Sequence, residues 1–258
     1  TLSCPDRVGI VHAVTGLLVE HNANITEAAQ FNDASTGLFF MRVRFEASVA
    51  AAPLRDAFTA LAARYDMRWD LHNADARMPT VILVSKLGHC LNDLLFRYRS
   101  QLLPLDIRAI VSNHRDFYQL AASYDIPFHH IPVTAATKER AEDRLREVLA
   151  QENVELVVLA RYMQVLSERL CNDLSGRAIN IHHSFLPSFK GARPYQQAHE
   201  RGVKLIGATA HYVTAELDEG PIIEQDVARA DHGMSAEDLA AVGRDTECVV
   251  MARAVKWH

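Results

Sequence analysis

Two short runs with no polar position inside them, V-I-L-V at 81–84 and L-V-V-L-A at 156–160, constrain this chain more than any other feature. A strand with no polar face must be covered on both sides, which antiparallel hairpins rarely achieve and βαβ crossovers do. Segments with helical periodicity lie between the strand patterns. Strands at 80–85, 105–112, 128–131 and 156–160 alternate with helices at 89–101, 115–124 and 137–151. That order predicts an α/β unit, a Rossmann-like, mostly parallel sheet with helices on both faces. Further strands are expected at 178–181, 207–213 and 222–227, and a closing helix at 235–255. Both apolar runs are far too short to cross a bilayer.

The first seventy residues follow a different pattern. An initial strand leads through P-D-R-V-G-I into an amphipathic helix at 11–21, with Val11, Val14, Leu17 and Leu18 on its apolar face. Two alternating segments, 24–31 and 38–45, flank the turn-rich N-D-A-S-T-G and read as a hairpin. A helix at 53–65 places Leu54, Phe58, Leu61 and Tyr65 on one side, and residues 67–71 suit a last strand. The order βαββαβ is that of a small ferredoxin-like unit. The expected organisation is a first domain over 1–72, a short polar linker over 73–79 and a second domain over 80–258.

Composition excludes several classes. A net charge of −5 and the lack of any Lys/Arg cluster leave no electrostatic footprint for nucleic acid. The 4 cysteines are scattered without a C-x-x-C pair, as in reduced, cytoplasmic proteins. No metal is expected, because His129-His130 and His182-His183 lack a Cys companion and adjacent residues of a strand point to opposite faces; His183 should therefore turn away from His182. No basic-then-apolar leader opens the chain. Its start at Thr1 and its end at Trp257-His258 suggest that a few terminal residues lie beyond it. The first turn of the α/β unit, S-K-L-G-H-C-L-N at 85–92, has one glycine where a dinucleotide or phosphate loop needs several, so no nucleotide cofactor is expected.

The chemistry concentrates between residues 178 and 225. Asn180 and His182 are two apart in a strand pattern and leave it on the same face. Pro187 and Gly191 then end regular structure, and the basic loop K-G-A-R-P at 190–194 suits an anionic substrate tail closing over a site. A later turn, L-D-E-G-P at 217–221, carries Asp218. Taken singly, each residue has a plain structural reading: an Asn shaping a turn, a packed His, an Asp in a β-turn.

Together they are specific. The run N-I-H-x-S-x-L-P-x-F, followed by L-D-x-G-x-I-x-x-Q, closely resembles the folate-dependent formyltransferase superfamily over 80–258. D-R-V-G-I with the later N-A-N-I-T resembles an ACT domain, a regulatory module that often binds amino acids between copies. The two together, with N-I-H-H-S-F-L-P-S-F-K-G-A-R-P-Y, are similar to the branch that hydrolyses its folate. The resemblance implies conversion of 10-formyltetrahydrofolate and water to formate and tetrahydrofolate, within one-carbon and purine metabolism, with catalysis by Asn180, His182 and Asp218. It places the pterin against mostly backbone groups of Leu159, Arg161, Tyr162 and Met163, with Val213 and Glu216 on the opposite wall. The phosphate loop of members that formylate glycinamide ribonucleotide has no counterpart at 85–92, which favours water as acceptor. For the first domain it implies an effector at Asp6, Arg7, Gly9 and Asn24, such as glycine or methionine, and a homo-oligomer. A turn that merely caps the helix is the other reading of Asp6 and Gly9. A transferase acting on an amine, and a catalytically silent amino-acid sensor, remain the rival functions.

Overall fold

The computed structural model describes residues 1–48, 51–188 and 194–258, and the chain divides into two compact units, Thr1–Ala76 and Arg77–His258. The first consists of β1 (Leu2–Pro5), α1 (Ile10–Glu20), β2 (Ala23–Asp33), β3 (Leu38–Ala47), α2 (Ala51–Tyr65) and β4 (Arg68–Trp69). Its four strands form an antiparallel sheet in the order β2-β3-β1-β4, the ferredoxin-like arrangement. Ile10, Val14 and Leu18 of α1, with Leu54, Ala62 and Tyr65 of α2, pack on Leu2, Cys4, Phe39 and Met41. Val11 does not share that face: it is 38% exposed, because the buried stripe runs through residues 10, 14 and 18. The last strand is shorter than its apolar pattern suggests and pairs only through Ser3↔Arg68 and Leu2↔Trp69.

The second unit contains β5 (Met78–Val84), α3 (His89–Arg99), β6 (Leu105–Ser112), α4 (Tyr118–Ala122), β7 (Phe128–His130), α5 (Lys138–Gln151) and β8 (Leu156–Leu159). It continues through α6 (Glu168–Asp173), β9 (Ala178–His182), α7 (Pro194–Glu200), β10 (Leu205–Tyr212), β11 (Ile222–Arg229) and α8 (Ala236–Trp257). The sheet order is β11-β10-β9-β8-β5-β6-β7. The run from β9 to β7 is parallel, and β10 and β11 add an antiparallel edge.

Both faces of the sheet are covered, as the apolar strands require. Ile82 and Val84 face Leu91, Leu94 and Leu95 of α3 and Met251, Ala254 and Val255 of α8. Val81 and Leu83, one position out of phase, face Leu145, Val148 and Leu149 of α5 and Leu170 of α6. Each such fully buried side chain contributes about 1.5–3 kcal/mol. α4 is shorter than its pattern predicts, and the short helices α6 and α7 are absent from the sequence reading, since neither spans two full turns of apolar repeat. No helix is long and apolar enough to cross a membrane among the described residues.

Parallel pairing brings the carboxyl ends of β5, β8 and β9 to one end of the sheet, where open α/β sheets hold ligands. In register, Leu159 at the end of β8 lies beside Asn180 of β9.

Candidate active site

Asn180 and His182 project from β9, and the antiparallel register sets His211 of β10 opposite Asn180 and Thr209 opposite His182. The turn after β10 returns Asp218 to this pair. His182 Nδ1 lies 3.2 Å from Asp218 Oδ2, and His211 Nε2 lies 3.6 Å from Asp218 Oδ1. Asn180 Nδ2 is 3.2 Å from His211 Nε2. His211 Nδ1 donates to the carbonyl of Tyr212 at 2.9 Å. A carbonyl only accepts, so Nδ1 carries a proton, while Nε2 faces both the Asn180 amide and the Asp218 carboxylate. The approach of His182, and secondarily of His211, holds the Asp218 carboxyl well below the ordinary carboxylate range. An ionised Asp218 holds a proton on His182 Nδ1, so in the neutral imidazole the lone pair is on Nε2. That Nε2 is buried and has no hydrogen-bond partner among the described residues.

Two features hold the turn that carries Asp218. Asp218 itself is in the left-handed region at φ 58, which Asp tolerates better than most residues. Two residues on, Gly220 lies under the strand: an added Cβ would sit 1.7 Å from the Tyr212 carbonyl oxygen. Gly220→Ala is expected to destabilise the unit by about 3 kcal/mol, the upper end for overpacking, because the obstructing atom is backbone. Urea unfolding tests this; a change under about 0.5 kcal/mol would show the turn to be freely adjustable.

The segment after β9 is held from the neighbouring strands. Thr209 Oγ1 donates to the Ser184 carbonyl at 2.9 Å and accepts from the Leu186 amide at 3.0 Å. Gln225 of β11 donates to the Leu186 carbonyl at 3.1 Å and to Thr209 Oγ1 at 2.9 Å. This accounts for Gln225 in the motif: it positions the loop rather than contacting the Asn-His-Asp group. Residues 190–193 of the basic loop expected to close over the site lie outside the described residues.

His183 does not turn away from His182. Their ring centroids are 5.2 Å apart, and His183 is also 6.1 Å from the Tyr195 ring. The alternation rule fails here because β9 ends at His182. Burial, with the Arg161 guanidinium second, pushes the His183 imidazole down to about 4, so it is neutral at pH 7.

The loop after β8 runs beside this group. The Met163 amide donates to Ser85 Oγ at 2.9 Å, and the Ser85 amide donates to the Arg161 carbonyl at 3.2 Å. Leu159 belongs to the core. Arg161 and Tyr162 are not ordinary surface residues: both are buried, with Tyr162 packed among Ala141 and Leu145 of α5 and its phenol pushed up to about 12 by burial and then by Glu142. Only Met163, 56% exposed, offers an apolar side chain outward. Val213 packs partly into the same core cluster as Leu159, and the exposed Glu216 accepts from Thr214 through its carbonyl at 2.9 Å.

Behind the His pair lies a buried polar cluster that sequence reasoning missed. Glu247 of α8 accepts from His89 Nε2 at 2.8 Å and from the Tyr195 hydroxyl at 2.7 Å, with Arg161 Nε 3.4 Å away. His89, Cys90 and Glu247 bring three ligand-type atoms within 4.8 Å of one another. They make a poor metal cradle, since the carboxylate is already engaged by two donors and faces a guanidinium.

In the first unit, Asp6, Arg7 and Gly9 share the turn between β1 and α1, whereas Asn24 does not join them within one chain. Asp6 instead accepts from Asn32, at the far end of β2 roughly 25 Å along the strand from Asn24. Gly9 occupies the left-handed region at φ 96 and caps α1 without a side-chain bond, so Asp6 is not the helix cap. Arg7 donates to the Arg64 carbonyl at 2.7 Å and lies 4.6 Å over the Tyr65 ring.

Comparison with known proteins matches a formyl transferase family model to residues 78–255 and an ACT domain model to residues 1–63. A formyltetrahydrofolate deformylase of Corynebacterium sp. (strain P-1) is 54% identical over 100% of this chain and 91% of its own length. The crystal structure of a formyltetrahydrofolate deformylase from Burkholderia mallei ATCC 23344 superposes with a TM-score of 0.95 at 54% identity, covering 99% of this chain and 91% of that one. A second, from Pseudomonas syringae pv. tomato str. DC3000, gives 0.96 at 46% identity over 99% and 87%.

Proposed function

The chain belongs to the formyl transferase family, and on that footing we propose that it is a hydrolase converting 10-formyltetrahydrofolate and water to formate and tetrahydrofolate. The observation that carries this reading is likeness to deformylases along the whole chain, across both units; His182 in contact with Asp218, and Asn180 with the neighbouring His211, support it. The formyl group on N10 is amide-like. Water adds to its carbon, the carbonyl oxygen takes up negative charge, and the C–N10 bond breaks as N10 receives a proton.

Each residue has a part in that sequence. His182 Nε2, with its free lone pair, takes the proton from the attacking water and returns it to N10. Asp218 holds the Nδ1–H tautomer and stabilises the imidazolium that forms. Asn180 presents an amide N–H to the developing oxyanion. The backbone of Leu159–Met163 reads the pterin, Met163 packs on it, and Val213 and Glu216 form the opposite wall; the outward side chain of Met163 supports this. No cofactor enters the scheme.

The ACT unit is read as regulatory, taking a small effector such as glycine or methionine at the Asp6–Gly9 turn. A homo-oligomer accords with the exposed Phe31 and Phe40 on β2 and β3, whose ring centroids are 6.4 Å apart. A cytoplasmic setting accords with four unpaired thiols.

The test is formate release from 10-formyltetrahydrofolate with no amine present. Formate without acceptor is the expected result. Release only on addition of an amine would assign the site to a transferase, and no turnover beside amino-acid binding would assign the chain to a sensor.

A further inference from the structure

We infer that Glu247 is a positioning residue: it holds the loop after β8 in its substrate-reading conformation by clamping Arg161, and is itself held by His89 and Tyr195. This deepens the functional reading above and rests on its placement of the pterin at residues 159–163.

The argument begins with Arg161. It occupies the left-handed region at φ 63, where an L side chain costs free energy and glycine or asparagine is the ordinary choice. Its side chain is nevertheless buried, at 8% exposure. A buried cation in an unfavourable backbone state persists only where the surroundings over-determine it. The nearby carboxylate is Glu247, 1% exposed and 3.4 Å from Arg161 Nε. That nitrogen has no hydrogen-bond partner among the described residues, so the pair is held by charge.

Glu247 must then be ionised and fixed. Burial alone would raise its carboxyl; the hydrogen bond from His89, the charge of Arg161 and the hydrogen bond from Tyr195 outweigh that and leave it below the ordinary carboxylate value. The two donors come from separate elements, His89 from the start of α3 and Tyr195 from the start of α7. Tyr195 also packs against Gly243, one turn before Glu247: an added Cβ there would lie 2.1 Å from the hydroxyl. The carboxylate thus joins α3, α7, α8 and the loop after β8.

The consequence reaches the substrate through backbone. The Arg161 carbonyl accepts from the Ser85 amide, and Ser85 Oγ accepts from the Met163 amide. Loosening Arg161 therefore frees the peptide groups that face the pterin, while Asn180, His182 and Asp218 keep their own contacts, none of which includes Glu247.

Glu247→Gln keeps the shape and removes the charge. It is expected to raise KM for 10-formyltetrahydrofolate, and Kd for tetrahydrofolate by calorimetry, about tenfold, with kcat within about threefold. Amide exchange should rise at Ser85 and Met163 and not across the core of β5 and β8. Unchanged KM and Kd in a folded variant would overturn the inference, as would a kcat loss at constant KM. Should the variant not fold, Tyr195→Phe, which removes one tie and keeps the ring, is expected to raise both constants about threefold; no change there also overturns it. Tetrahydrofolate binding needs no turnover, so this outcome is separate from whether the unaltered enzyme releases formate.

Discussion

Asp218→Asn is expected to lower kcat for formate release by about 10³–10⁴-fold while tetrahydrofolate binding changes by less than about threefold. Asparagine is the informative replacement because position 218 is in the left-handed region, which Asn adopts readily and Ala does not. The turn should survive, and what is lost is the negative charge 3.2 Å from His182 Nδ1. Without it the proton of His182 is free to sit on Nε2, where it blocks uptake of a proton from water. The imidazolium formed during attack also loses its counter-charge. Single-turnover formate release and calorimetry separate the two effects. A kcat within tenfold of the unaltered enzyme would remove Asp218 from the chemistry, and loss of the folded state would make it structural.

The second large effect is expected at Asn180. Asn180→Ala should lower kcat by about 10²–10³-fold, the usual loss for one preorganised oxyanion donor, or roughly 3 kcal/mol. Its amide lies 3.2 Å from His211 Nε2, in a ring held in place by its Nδ1–H bond to the Tyr212 carbonyl. The backbone pairing of β9 with β10 does not involve the side chain, so the fold should hold. KM should move little, because the contact strengthens only as the oxygen becomes charged. A rise in KM at constant kcat would recast Asn180 as a ground-state contact.

Much of the architecture was legible because it depends on local periodicity. The uninterrupted apolar runs at 81–84 and 156–160 demand cover on two faces, and the helices that supply it repeat at 3.6 residues. The small unit was legible from its alternating hairpin and its two amphipathic helices. What escaped was either too short to show a period, as with α6 and α7, or disguised by its neighbours. Glu247 belongs to the charged stretch G-R-D-T-E-C of a long helix, where a glutamate normally faces water, yet it is 1% exposed. His211 lies inside the motif-bearing stretch but gains meaning only once β10 pairs with β9 in the observed register. Asn24 and Asp6 lie apart within one chain for a different reason: the length of β2 separates them.

The sequence by itself determined the two units, the two-faced sheet, the motif-bearing strand and the turn with its acid, since each is written in spacing over a few residues. Only the tertiary structure decided which groups meet. His89 and Glu247 are 158 positions apart and share a hydrogen bond. His182 gains Asp218 on Nδ1, while Nε2 has no partner among the described residues, and Arg161 is drawn inward rather than left at the surface. The physical reason is that periodicity fixes the direction of a side chain relative to its own strand or helix. Its partner is fixed by strand register and by the closure of distant loops, which no local pattern encodes.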